Sequence, residues 1–137
     1  MSIASKVTRE QIENVIKRIN EIENARPTQS ADEIVASLSE LYSGNIDVWV
    51  NGKHLSGRAA VNELDRGLFE LVNDYHRDID HLVIDPPFVS LDWCVKSVRF
   101  SLEGWGCSIL EADEAGLILR SWMYFDPAPF KAIGMQV

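Results

Sequence analysis

Between His76 and Phe125 the chain offers a succession of long apolar strand segments, the last reading Gly-Leu-Ile-Leu-Arg-Ser-Trp-Met-Tyr-Phe-Asp from 116 to 126. Segments 76–84, 88–102, 106–112 and 117–125 are separated by Pro86-Pro87, Gly104 and Asp113-Glu114-Ala115-Gly116, all of them turn chemistry. Strands of about 10 residues in a small sheet twist and coil, and a coiled sheet closes over helices instead of lying flat. The expected product is a cone with an apolar hollow, the usual seat of function in a small domain.

Helices supply the other wall. Thr8-Arg9-Glu10-Gln11 has capping-box spacing, after which Ile12, Val15, Ile16, Ile19 and Ile22 recur on one helical face until Pro27 stops the pattern. Ser30-Ala31-Asp32-Glu33 is a second capping box, ahead of Ile34, Val35, Leu38, Leu41 and Tyr42. Alternation from Ile46 to Val50, then Asn51-Gly52, predicts a strand, a two-residue turn and a short return strand. Ser56 is placed to cap a third helix with the inward stripe Val61, Leu64, Leu68, Leu71, Val72 and Tyr75. The fold class is α+β: a cone-shaped, strongly curved antiparallel sheet wrapped around three helices.

With 137 residues and no linker or repeat, the chain reads as a single domain, 1–137, with its core over about 8–126 and a tail over 127–137. A domain of this length buries roughly 68% of its unfolded surface and needs no staple. A formal charge of -8, with 13 basic residues scattered among 21 acidic ones, argues against nucleic acid. Cys94 and Cys107 have neither zinc nor redox spacing and read as buried thiols. The histidines and carboxylates show none of the close spacings of a metal site, so neither metal nor cofactor is expected. No apolar run approaches a membrane span, and Met-Ser-Ile-Ala-Ser-Lys lacks a signal peptide's apolar core. The chain reads most simply as a soluble cytoplasmic protein.

The element order, the last strand's Gly-x-Ile-x-x-x-Trp-x-x-x-Asp form, Leu55-Ser56-Gly57-Arg58-Ala59-Ala60-Val61 before helix three, and Leu91-Asp92-Trp93-Cys94-Val95 together resemble the nuclear transport factor 2-like superfamily, in particular its SnoaL-like branch. The resemblance spans about residues 8–126. It implies a cystatin-like α+β barrel, frequent homodimers packed through the sheet, and a pocket between sheet and helices. It also implies polyketide cyclase, ketosteroid isomerase, epoxide hydrolase or dehydratase chemistry, or none, because fold does not deliver function. The residues that such enzymes use are mostly replaced. The isomerase base position falls on Val48, with Asp47 and Trp49 as its neighbours in register, and the second carboxyl falls near Ser108. The cyclase acid/base position falls on Met123, and the epoxide hydrolase Arg-x-Asp pattern keeps only Arg99.

Strand alternation puts Leu119, Ser121, Met123 and Phe125 on one face and Arg120, Trp122, Tyr124 and Asp126 on the other. By the resemblance, the first set lines the pocket and the second is a homodimer face, unless a bulge inverts part of the strand. The same alternation places Cys94, Lys96, Val98, Phe100 and Leu102 inward, with Ser108 and Leu110 on the neighbouring strand. Lys96 is either a functional interior lysine or an edge residue that snorkels. His81 is the candidate for a proton-transferring His/Asp dyad, as in some superfamily dehydratases, or an ordinary surface residue. Trp49, Trp93, Trp105 and Trp122 serve either packing or ligand clamping. Trp105, between Gly104 and Gly106, is the one that a loose segment would let gate a ligand.

Two functions therefore compete. One is a cofactor-independent lyase, isomerase or cyclase acting on a small apolar metabolite, with His81 or Asp47 moving the proton and Ser108, Ser121, Lys96 and Arg99 orienting the substrate. The other is a non-catalytic binder or homodimeric interaction module using the same cavity. Protein transport has no specific residue behind it.

Overall fold

A computed structural model describes residues 7–136. The Met-Ser-Ile-Ala-Ser-Lys segment, residues 1–6, lies outside the described residues. Both capping boxes form. The Thr8 and Ser30 hydroxyls accept from the Gln11 and Glu33 backbone N–H groups, and those side chains return bonds to the cap N–H groups, which starts α1 (Arg9–Glu23) and α2 (Ala31–Ser39). The five α1 aliphatics expected inward are all buried. α3 (Arg58–Leu71) starts from Gly57 instead of Ser56, with no side-chain cap; a φ of 87° at that position suits glycine.

The strands are β1 (Tyr42–Val50), β2 (Lys53–Ser56), β3 (His76–Asp85), β4 (Phe88–Ser97), β5 (Leu102–Ala112) and β6 (Ile118–Phe125). Asn51 and Gly52 both take positive φ and close the β1–β2 hairpin. The six strands form one sheet in the order β2-β1-β6-β5-β4-β3. It is curved but unclosed, with β2 and β3 at its edges. One pairing departs from the expected antiparallel sheet: β1 and β6 run parallel, the four intervening strands having brought the chain back beside its first strand. Phe69, Ile12, Ile34, Leu38, Ile46 and Ile118 are the largest fully buried residues, where the helices meet the concave sheet face. A short α4 (Ala128–Ala132) extends the tail and buries Phe130.

Two boundaries move relative to expectation, for one reason. The chain turns at 98–101, where Ser101 has φ 51°, and not at Gly104. Gly104 and Gly106 lie inside β5, on its concave face, because rings occupy the space their side chains would fill. A Cβ at Gly104 would sit 2.5 Å from Phe130, and one at Gly106 2.4 Å from Trp93 and 2.8 Å from Phe125. These glycines therefore tighten the segment instead of loosening it. Gly106→Ala is expected to destabilise the fold by about 1–3 kcal/mol through overpacking, read as a lower urea midpoint at unchanged slope.

Moving the turn also shifts which β4 residues face inward. Leu91, Trp93 and Val95 point into the concave side, and Cys94 and Lys96 point away, opposite to expectation. In β6 a bulge against β5, between Ile118 and Arg120, puts Ile118 inward in place of Leu119. Beyond it the expected alternation holds, with Ser121, Met123 and Phe125 inward.

Candidate functional site

The concave face and the helices enclose a cavity of about 150 Å³. Most of its wall is aliphatic or aromatic, from Ile16 and Ile19 on α1 to Val48 on β1 and Leu91 and Val95 on β4. Polar groups enter in two places.

At the helical end lie Glu23, Tyr42, Asp65, Tyr75 and Arg77. Helix period brings Glu23 there, four residues after Ile19 and on its face. The same period brings Asp65, four after Val61 and three before Leu68. Arg77 arrives by strand alternation two residues before Ile79. The α1 side chains hold it: Asn20 Oδ1 accepts from Arg77 Nε at 2.9 Å, Glu23 Oε2 lies 3.6 Å from Nη1, and Asn24 exchanges bonds of 2.7 and 2.9 Å with the Arg77 backbone. Glu23 and Arg77 side chains are each only 12% exposed. The Tyr75 hydroxyl donates to Glu23 Oε1 at 2.7 Å, and the Tyr42 hydroxyl donates to Asp65 Oδ2 at 2.9 Å.

Charge counting gives this cluster its chemistry. Two carboxyls share one guanidinium, and Glu23 is the one in contact with it. Asp65 is left with a phenol as its partner. Burial, and next the nearby Glu23 charge, raise the Asp65 pKa from 3.8 to about 7, against the opposing help of Tyr42 and Arg77. Burial, and then the Asp65 and Glu23 charges, hold the Tyr42 phenol well above its ordinary 10. Tyr75 is raised likewise, by burial and then Glu23. Burial works against the Arg77 charge, but Glu23 and the neighbouring phenols outweigh it and the guanidinium stays protonated.

The second polar place is the sheet wall, where Ser108 and Ser121 are 5% and 6% exposed. The Trp93 Nε1–H donates to Ser108 Oγ at 3.0 Å.

The residues singled out in the sequence divide by face. Val48, Ser108, Ser121 and Met123 line the cavity together. Asp47 and Trp49 alternate with Val48 and so point outward. Asp47 accepts from or pairs with His54 Nε2 at 2.8 Å, and Trp49 stacks between the His54 and Trp122 rings, 4.7 and 5.3 Å away. Lys96 is exposed on the outer face, 3.6 Å from Asp78. Val98 and Arg99 are on the 98–101 turn: Val98 is 92% exposed, and the Arg99 guanidinium lies 5.3 Å over the Phe100 ring. Phe100 packs against the core from that turn without reaching the cavity. Trp105 is 56% exposed on the convex side, since Gly104 and Gly106 take the concave positions.

His81 does form a His/Asp dyad, its Nδ1 2.7 Å from Asp92 Oδ2, and that bond raises the imidazole pKa. The dyad sits outside the cavity, because a bulge between Ile79 and His81 turns the ring outward, where it is 79% exposed. Cys107 is exposed, not buried, while Cys94 is buried. Trp122, Arg120 and Tyr124 lie off the cavity wall, Arg120 bonded to Glu111 at 2.7 Å. Among the described residues no helix is long and apolar enough to cross a membrane, and no three His, Cys, Asp or Glu side chains gather as a metal ion would need.

Sequence reasoning missed Glu23, Tyr42, Asp65, Tyr75 and Arg77 as a group. The available signal was a titratable residue inside each apolar stripe: Glu23 continues the α1 stripe and Asp65 interrupts that of α3. Tyr42, which the apolar stripe places at the end of the second helix, opens β1 instead.

No protein-family model and no curated protein sequence matches the chain. Solved structures do. A de novo designed protein with a curved β-sheet superposes with a TM-score of 0.71 at 20% identity, covering 93% of this chain and 94% of that one. An NTF2-like protein of unknown function from Exiguobacterium sp. 255-15 gives 0.68 at 21% identity, over 82% of this chain and 98% of its own. An LEH-like epoxide hydrolase from M. tuberculosis gives 0.67 at 15% identity, over 90% of each. With the strand order and the curved sheet over α1 and α3, these likenesses establish that the chain has the nuclear transport factor 2-like fold.

Proposed function

We propose that this protein is a cofactor-independent acid/base catalyst of the lyase or isomerase type, acting on a small apolar molecule held in the cavity. The observation that carries this reading is Asp65, a cavity-lining carboxyl with a pKa of about 7 and a phenol hydroxyl 2.9 Å away. A general base is most effective with its pKa near the working pH, and few structural carboxyls are tuned there. In the ionised form Asp65 takes a proton from a carbon or hydroxyl of the substrate; in the protonated form it returns one. Tyr42, donating to it, steadies the ionised state and keeps the carboxyl oriented. Glu23 and Arg77 form an ion pair beside it and set the field at this end of the cavity. His81 and Asp47, both outside the cavity, take no part.

The test is hydrogen–deuterium exchange at the carbon beside the carbonyl of cyclohexanone in heavy water. Asp65 carboxylate would remove the proton, solvent would replace it with deuterium, and the ketone would be recovered labelled. The expected result is protein-dependent exchange that rises with pH through an inflection near 7 and is lost in Asp65→Asn, while His81→Ala retains it. Exchange at the buffer rate, or a fully active Asp65→Asn, rejects the proposal in favour of a non-catalytic binder.

A further inference from the structure

We infer that the occupant of the cavity is an uncharged, single-ring-sized molecule carrying one acceptor oxygen, and that the Ser108 and Ser121 hydroxyls on the sheet wall are the donors that orient it. The inference deepens the acid/base reading by naming the substrate class, and its oxygen recognition stands on residues that reading does not use.

Size comes first. A hydrocarbon-lined cavity of about 150 Å³ accepts a benzene-sized guest, and the hollow here measures about 150 Å³. A fused polycyclic substrate exceeds that volume. Charge comes second. The cation on the cavity wall, Arg77, is already engaged by Glu23 and Asn20, and the surplus charge nearby is that of Asp65. An anionic guest would meet a carboxyl with no free cation to offset its desolvation.

The serines supply the oxygen recognition. β5 and β6 pair with Ser108 opposite Met123 and Ser121 opposite Leu110, so the two hydroxyls are diagonal neighbours on the concave face. Both residues are more than nine-tenths buried and both line the cavity. Trp93 donates its indole N–H to Ser108 Oγ, which occupies an acceptor position there and leaves the Ser108 hydroxyl proton to be given elsewhere. Ser121 has no protein partner for its hydroxyl among the described residues. Two hydroxyl protons facing an apolar hollow are donors that a ligand oxygen, such as that of a carbonyl or ether, can accept from.

The experiment is a titration of cyclohexanone, methylcyclohexane and cyclohexanecarboxylate into isotope-labelled protein, followed at the Trp93 indole N–H. Ser121→Ala is expected to weaken cyclohexanone binding roughly fivefold, the worth of one neutral hydrogen bond, and to leave methylcyclohexane unchanged or tighter. Ser108→Ala should give the same selective loss, and the carboxylate should bind at least tenfold more weakly than the ketone. Asp65→Asn should keep the ketone affinity within twofold, which separates this inference from the proton-transfer reading. Equal effects of Ser121→Ala on ketone and hydrocarbon, tighter binding of the carboxylate, or no binding of either neutral ring would overturn it.

Discussion

Asp65→Asn is expected to make the protein more stable than the parent at pH 8, by as much as roughly 4 kcal/mol, and to lose most of that advantage at pH 4. The Asp65 carboxyl has a pKa of about 7 in the folded protein against an ordinary 3.8. Between those values the folded state holds a proton that the unfolded state has released, so stability falls as pH rises through the window. The full gap, about three pKa steps at 1.36 kcal/mol each, sets the upper bound. Asparagine has the shape of the protonated acid and can still accept from the Tyr42 hydroxyl, so the variant resembles the low-pH form at every pH. Urea midpoints of parent and variant from pH 4 to 9 check this. Parallel curves would show that Asp65 is an ordinary carboxylate, and the acid/base site would go with it.

A gain in stability bought by losing the exchangeable proton is what a functional site predicts, since active sites hold groups in unfavourable states that the fold tolerates. Glu23 differs in this respect. It is as well covered as Arg77, yet it has a guanidinium at 3.6 Å and a phenol donor at 2.7 Å, where Asp65 has a phenol alone.

The helices were legible in the sequence because their signals are local. Capping boxes at Thr8 and Ser30 and the period of α1 act over a few residues, and nothing tertiary opposes them. The Asn51-Gly52 hairpin belongs to the same class. Errors in the sheet came from a non-local cause. Gly104 looks like a turn residue, but it is a strand residue whose missing side chain admits the Phe130 ring from α4, 26 positions further along the chain. Once the turn moved to 98–101, Lys96 faced outward; once the bulge at Ile79–His81 appeared, so did His81. Alternation is a dependable rule only between irregularities, and a single extra residue reverses it.

The candidate site was half legible for the same reason. Ser108, Ser121 and Met123 follow from alternation in strands that run undisturbed over those residues. The acidic end is assembled from α1, β1, α3 and β3, and no stretch of sequence contains more than two of its members. What betrays it is a mismatch: Asp65 at a helical position whose neighbours Val61 and Leu68 face the core. A carboxyl there needs a partner or a purpose.

Arg77→Met is expected to be the most damaging single substitution in the cavity wall, costing about 3–5 kcal/mol at pH 7. It removes the guanidinium 3.6 Å from Glu23 and leaves that carboxylate covered, with the Tyr75 hydroxyl and no opposite charge. The bond to Asn20 and the stem packing between α1 and β3 go as well. The pair Glu23→Gln with Arg77→Met should recover most of the loss, because an uncompensated charge costs more than an absent pair. Arg77 is one of the groups that hold the Asp65 pKa down, so its removal should push that carboxyl above 7 and shift the exchange inflection to higher pH. Urea unfolding of the two singles and the double at pH 7, with the exchange profile of the Arg77→Met single variant, reads both effects. If Arg77→Met proves nearly neutral, the Glu23 carboxylate is solvated through the cavity, and the surplus-charge account of Asp65 fails with it.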